Sequence, residues 1–473
     1  MKLRWMRTSC LALVLLTATG HGHDPVEPIA SPSAQDPPAA EPDAAKPRVR
    51  VFGRLPDWAT RSWYVRRQLG QTWMLKNANV IDIHTGEIQH GANIIIAADL
   101  IKSIGDEEPG PGMTVVDAAG GFVTPGLFDL HAHVMPTTPF FPNAVGPEAA
   151  LRLLLEAGVT TIRAIPFYSE SALLWAAQVN HNELLGPTIV PTSSVFEQQP
   201  QRTMRGFRDP ETAVAWVRKE AMLGARWIKI YNRMDEDSLR RIVVTAHQYG
   251  MKVCGHANEV PPHRAAALGL DTLEHATSLA YSALRDDAPE MPGDVGLVQA
   301  AWCWEYADSA KLSEVMHTFK ENETGWVPTL VVLEQIVTSG DHDRSSLDPH
   351  VIAQFDKALR ESAKLAVQLH RDGGLVGIGS DFPLNGLLPG ASVHRELELF
   401  VELGRATPLE ALQIATLSSA RILGFDGLVG TIEVGKVANL VVFERNPLED
   451  ISNVRSVRHV IHDGRLLEPG NPE

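Results

Sequence analysis

His131 and His133, in Leu130-His131-Ala132-His133, are two residues apart, so on a β-strand both imidazoles leave the same face and can grip one metal ion. In Trp227-Ile228-Lys229-Ile230-Tyr231 the same alternation turns Ile228 and Ile230 one way and Lys229 and Tyr231 the other. His256, His275 and Asp381 each close a further short apolar run. Together these residues are expected to form the ligand set of a two-metal hydrolase. A single histidine on an apolar strand is ordinarily a satisfied core residue, and a lone strand lysine usually snorkels to solvent. Their recurrence at matching strand ends reads differently, because buried ionisable groups need partners.

Such a set requires a scaffold that brings distant strand ends together. Strand-like runs are expected at Leu127 to Val134, Val159 to Ile165, Pro187 to Thr192, Arg226 to Tyr231, Lys252 to His256, Asp271 to His275, Trp326 to Leu330 and Leu375 to Asp381, with amphipathic helical stretches between them. Eight such units over residues 123–426 suit an α/β fold, a (β/α)8 TIM barrel whose active site lies at the C-terminal strand ends. A doubly wound open sheet fits the alternation but does not readily join its first and last strands. Short β-rich runs in 51–122 and again in 427–473 are expected to build one small β-sandwich from both chain ends. Residues 49–70, rich in Arg and Trp, read as an irregular extension lying on it.

The chain has 473 residues, 44% of them hydrophobic, enough for about two structural domains. A formal net charge of −15 argues against nucleic acid or an anionic membrane surface as a default partner and leaves a small-molecule substrate open. Lys2, Arg4 and Arg7 precede the apolar stretch Cys10 to Ala18, followed by small residues, so 1–22 reads as a secretory signal peptide. The apolar run is too short for a membrane span, which implies no stable insertion once the signal is removed and a periplasmic or secreted protein. Residues 23–50, crowded with Pro, Ala and acidic side chains, should be a disordered tether. Only Cys254 and Cys303 lie beyond the signal, so a disulfide framework is not expected.

Val123-Thr124-Pro125-Gly126-Leu127-Phe128-Asp129-Leu130-His131-Ala132-His133 resembles the opening strand of the amidohydrolase superfamily. Trp227-Ile228-Lys229-Ile230, Gly255-His256-Ala257-Asn258, Leu273-Glu274-His275, Val327-Pro328-Thr329-Leu330 and Gly379-Ser380-Asp381 are similar to its branch of prolidase-like and other Xaa-dipeptidases. The resemblance implies that His131, His133 and Asp381 serve one ion and His256 and His275 a second. Two close ions need a bridging anion, and a protonated lysine would repel them. Lys229 is useful there only as the carbamate, N6-carboxylysine, with one oxygen for each metal; burial favours the neutral amine that captures carbon dioxide. Imidazole and carboxylate ligands point to zinc, with manganese and cobalt compatible.

Asp381 is the natural proton shuttle. Its strand phase also places Gly377 and Gly379 toward the ions, where they are expected to leave space, while Val376 and Ile378 turn to the helices. Tyr231 could donate to an oxyanion or pack at the rim; Asn258 could hold substrate or orient a ligand. His394, in the helix after the eighth strand, could face the pocket or serve structurally. After Arg163 the sequence departs from its relatives, giving Ala164-Ile165-Pro166-Phe167 where they commonly carry an acidic residue and glycines. Residues 277–325, with Trp302, Trp304 and Tyr306, form either a lid or a helix packing its aromatics inward. The expected activity is cleavage of an amide bond in a dipeptide or N-acyl amino acid. A lactone, ester or phosphotriester hydrolase is the near alternative, then a deaminase, then a non-catalytic scaffold; a homo-oligomer is left open.

Overall fold

A parallel strand buried along its whole length needs helices outside it and packed side chains inside, and Leu127–Ala132, Val159–Ala164 and Trp227–Ile230 are buried at every position. The computed structural model describes residues 63–67, 72–135, 145–166, 169–198, 206–277, 279–290, 297–338 and 348–469. The expected signal peptide and tether lie outside them.

The parallel strands are β1 (Leu127–Ala132), β2 (Val159–Ala164), β3 (Thr188–Gln198), β4 (Trp227–Ile230), β5 (Lys252–Gly255), β6 (Thr272–Glu274) and β7 (Gly325–Val327), each hydrogen-bonded to the next. The eighth position is not a regular strand. Residues 375–382 nevertheless close the ring, because Trp326 N donates to Leu375 O (2.9 Å) on one side while Leu130 N donates to Ile378 O (2.8 Å) and Asp381 N to His131 O (2.7 Å) on the other. The closed parallel barrel carries out the expectation from the sequence, and it sets Asp381 directly beside His131.

Gly377 and Gly379 explain why that last segment is only loosely strand-like. A Cβ at Gly379 would meet Val327 Cγ1 at 2.5 Å and His131 Cβ at 2.9 Å, and one at Gly377 would meet Leu130 Cδ1 at 2.6 Å. The expectation of space beneath the ions is therefore corrected: the glycines allow close approach and the space is filled.

The chain ends form a second, mixed sheet of nine strands. Phe122–Pro125 pairs antiparallel with Leu440–Phe443, which joins the N-terminal strands to the C-terminal ones. Alternation then assigns the faces: Leu440 and Val442 enter the sheet's own core with Trp73, Ile94 and Ile461, whereas Val441 and Phe443 enter the barrel cluster. Trp63–Arg67 pairs antiparallel with Arg465–Pro469, so part of the segment expected to be irregular adds an edge strand.

Among the described residues of 277–325, Leu297–Glu305 and Ser309–Glu321 are helices. Trp302 and Trp304 are buried, and the Trp304 indole donates to Ala276 O at 3.2 Å. The packing alternative holds for these aromatics, because a buried indole N–H needs an acceptor and finds one at the end of the sixth strand. Among the described residues, no helix is long and apolar enough to cross a membrane.

Candidate metal centre

The ends of β1, β4, β5 and β6, together with the closing segment 375–382, bring their side chains into one largely buried cluster. His133 Nε2 lies 2.8 Å and His131 Nε2 3.4 Å from Asp381 Oδ1. Ligand atoms of His131, His133 and Asp381 all lie within 4.8 Å of one another, a spacing that fits a single ion. The rings continue the cluster: His131 and His275 centroids are 4.5 Å apart, His275 and His256 4.7 Å, and His256 and Tyr231 4.4 Å. Lys229 is 2% exposed, and its Nζ has no hydrogen-bond partner among the described residues.

That orphaned amine is the strongest sign that something is to be held here. A buried amine that acts electrostatically on His131, His256, His275 and Asp381, yet has no hydrogen-bond partner among the described residues, fits a group that supplies its own contacts. Burial, as the largest influence, lowers the Lys229 pKa, opposed by Glu274, Cys254 and Asp381. Burial likewise brings His131 and His256 well below the usual histidine range, with Lys229 adding to the effect, and brings His275 down to about 4 despite Asp381. A lowered pKa favours the neutral imidazole at His131, His256 and His275, the form that ligation requires. Burial would raise Asp381, but His275, His133 and Lys229 outweigh it and hold the carboxyl below its ordinary value. The donor set thus fits divalent metal, with His131, His133 and Asp381 spaced to hold one ion.

Three of the histidines are anchored through Nδ1. Nδ1 of His131 donates to Glu274 Oε2 (2.6 Å), that of His133 to Ile165 O (2.6 Å) and that of His256 to Asn232 Oδ1 (2.7 Å). His275 Nδ1 lies 2.8 Å from Thr329 Oγ1. Anchoring Nδ1 leaves Nε2 as the lone-pair nitrogen. Strained backbone accompanies this: His275 (φ 63°), Thr329 (φ 48°) and Asp381 (φ 57°) occupy the left-handed region, at about 1–3 kcal/mol each.

Of the remaining expected residues, Tyr231 reaches the cluster, and burial raises its hydroxyl pKa, ahead of Asp381 and Glu197, keeping it a donor. Asn258 is buried and its amide donates to Asn232 Oδ1 (2.7 Å), the same oxygen that anchors His256. His394 is not at the cluster. It is fully buried and its Nε2 donates to Ala157 O (2.8 Å), at the C-terminal end of the helix Pro147–Glu156 that leads into the opposite end of β2. Its helical neighbour Glu396 accepts from Leu330 N and Val331 N, capping the helix Leu330–Thr338. Sequence reasoning gave no role to Glu274, Asn232 or Thr329. For Glu274 a signal existed, since an acid inside an apolar strand must be paired.

The profile of the amidohydrolase family matches residues 122–467, and the chain belongs to that family. A provisionally assigned prolidase from Bifidobacterium longum superposes with a TM-score of 0.68 at 25% identity, over 86% of this chain and 97% of that one. Imidazolonepropionase of Pseudomonas entomophila is 26% identical over 76% of this chain and 89% of its own. Adenine deaminase 2 of Agrobacterium fabrum is 26% identical over 84% of this chain, which spans 56% of that deaminase.

Proposed function

We propose that this chain is an exported, binuclear metal-dependent amidohydrolase that cleaves the amide bond of a dipeptide or N-acyl amino acid. The observation that carries the reading is Lys229 Nζ, buried and without a hydrogen-bond partner among the described residues, beside a cluster of histidines and Asp381 on which its charge acts. Capture of carbon dioxide forms an N–C bond at that nitrogen with loss of a proton and yields two oxygens, which match two ions. Divalent ions bound there supply Lewis acidity, polarising the scissile carbonyl and acidifying water.

The protein's own residues carry the rest. Asp381, held in its ionised form by His275 and His133, accepts the proton released as water adds to the carbonyl and delivers it to the departing amine nitrogen. Tyr231, a protonated hydroxyl at the rim, donates to the oxygen that gains charge. Asn258 acts through Asn232 to keep His256 in orientation. The preference for an acyclic amide rests on the prolidase-like structural neighbour and on the Xaa-dipeptidase motifs. A second reading, hydrolysis of a ring or exocyclic C–N bond, is favoured by the imidazolonepropionase and deaminase relatives.

Metal analysis of the purified protein is expected to find near two ions per chain, and Lys229→Ala to lose metal and activity together. Zinc-reconstituted protein, offered dipeptides, N-acyl amino acids, cyclic amides, aminopurines, lactones and phosphotriesters, is expected to hydrolyse the first two. Turnover confined to the other classes would overturn the substrate assignment, and a stably folded protein that takes up no metal would overturn the enzyme reading.

A further inference from the structure

Beneath the histidines lies a fully buried ion pair to which the proposed reaction assigns no role. Arg163, on β2, donates from Nη2 to Glu274 Oε1 (2.6 Å), from Nη1 to Thr272 Oγ1 (2.9 Å) and from Nε to Leu130 O (2.7 Å). Its guanidinium carbon sits 4.6 Å from the centroid of the Trp227 ring. Thr272 Oγ1 also donates to Glu274 Oε1 (2.6 Å). Both charged side chains are 0% exposed. Glu274 spends its other oxygen, Oε2, on His131 Nδ1 at 2.6 Å. The chain of contacts therefore runs from β4 and β2 through Glu274 on β6 to a metal ligand on β1.

The anchors on the four histidines are chemically unequal. His133 has a backbone carbonyl, His256 a carboxamide, His275 a hydroxyl, and His131 alone a carboxylate. A carboxylate accepts only, so it fixes hydrogen on Nδ1, and it strengthens the basicity of the opposite nitrogen most. Left alone at that depth it would also draw a proton onto the imidazole as a buried ion pair. Arg163 supplies a permanent counter-charge on the far oxygen, through a guanidinium that cannot itself lose its proton.

We infer that Arg163 and Glu274 are a positioning pair for the metal centre: Arg163 fixes Glu274, and Glu274 fixes His131 with its hydrogen on Nδ1 so that Nε2 faces Asp381 and His133. The inference rests on the metal reading proposed above. It also gives Arg163, on β2, its acidic partner on β6.

The first test needs no substitution. Metal-free protein labelled with 15N-histidine, with the His131 signal assigned by its loss in His131→Asn, is expected to show the Nδ1–H form; an Nε2–H form overturns the inference. The second is zinc retention measured by competition with a chelator. Glu274→Gln and Arg163→Met are each expected to weaken it by about 10- to 100-fold. The double variant is expected to lose little more than either alone, because both act through one imidazole. Arg163→Lys should recover part of the loss. Wild-type zinc binding with unchanged affinity in both single variants overturns this inference alone, whereas wild-type protein that binds no zinc overturns the metal reading and the inference with it. Should a variant not fold, the tautomer in the wild-type protein decides.

Discussion

Replacing Lys229 by methionine should change the sign of its effect on stability according to whether metal is present. The side chain is 2% exposed and its Nζ lacks a hydrogen-bond partner among the described residues. Methionine keeps most of the apolar stem and deletes the amine, so the metal-free variant escapes the penalty of a buried unsatisfied group, about 1–3 kcal/mol. The attraction of Glu274 and Asp381 for the lysine places the gain toward the lower end. For a chain of this size each kcal/mol moves the melting temperature by roughly 1 °C, so metal-free Lys229→Met should melt about 1–2 °C above metal-free wild type. With zinc the order reverses. A ligand at 100 times its Kd stabilises the wild type by about 2.7 kcal/mol, and a variant without the bridging group forgoes most of that. The assay is a pair of melts at one scan rate, before and after zinc and bicarbonate, alongside metal content. A metal-free variant that melts below metal-free wild type, or one that gains as much from zinc, would refute the argument that Lys229 is kept for a bound group.

Other consequences test separate parts of the structure. His394 is fully buried and burial brings it down to about 4 from 6.5, so it is neutral in the folded state; its contribution is complete above pH 6.5 and is lost as pH falls toward 4, by about 3 kcal/mol. Denaturant titrations of His394→Gln across that range should show a flatter acid slope, with zinc retention unaltered. Gly379→Ala places a Cβ 2.5 Å from Val327 Cγ1 and 2.9 Å from His131 Cβ, and should destabilise by about 1–3 kcal/mol while weakening zinc retention. Gly377→Ala, which meets Leu130 instead, should destabilise comparably in the same urea titration with a smaller effect on metal. Glu396→Ala strips the acceptors from Leu330 N and Val331 N and should cost about 2–4 kcal/mol in that assay, without direct loss of a ligand.

The parts of this molecule legible in the sequence are those governed by a fixed period. Two-residue alternation put Lys229 and Tyr231 inside and Ile228 and Ile230 outside, and the structure repeats that division because a barrel strand has only two faces. The same rule failed at Gly377 and Gly379, where strand phase was correct in direction and wrong in consequence: it tells which way a side chain points and says nothing of how near the opposite wall stands. It failed differently at His394, whose helical position fixes a face without fixing its height along the barrel, so the ring ends at Ala157, away from the ligands. Residues 277–325 offered a length but no partner. Trp304 found its acceptor at Ala276 only through the packing of the helix Leu297–Glu305, well downstream in the chain.

What made the ligands recognisable also hid their supports. A ligand must end a strand on the inward face, so its position follows from local pattern. Its anchor need only reach one ring nitrogen, and a carboxylate, a carboxamide, a hydroxyl and a backbone carbonyl all do so here from four different strand ends. No spacing rule links Ile165 to His133 or Asn232 to His256. Charge is the exception, because burial makes an unpaired ion untenable. Arg163 and Glu274 are both charged residues inside runs otherwise fit for a core, and that alone predicts that each has a partner. They are each other's, and the spare oxygen of Glu274 goes to the first ligand of the centre. Buried charge therefore extends the reach of sequence reading one layer beyond the ligands, and stops where the supports become neutral.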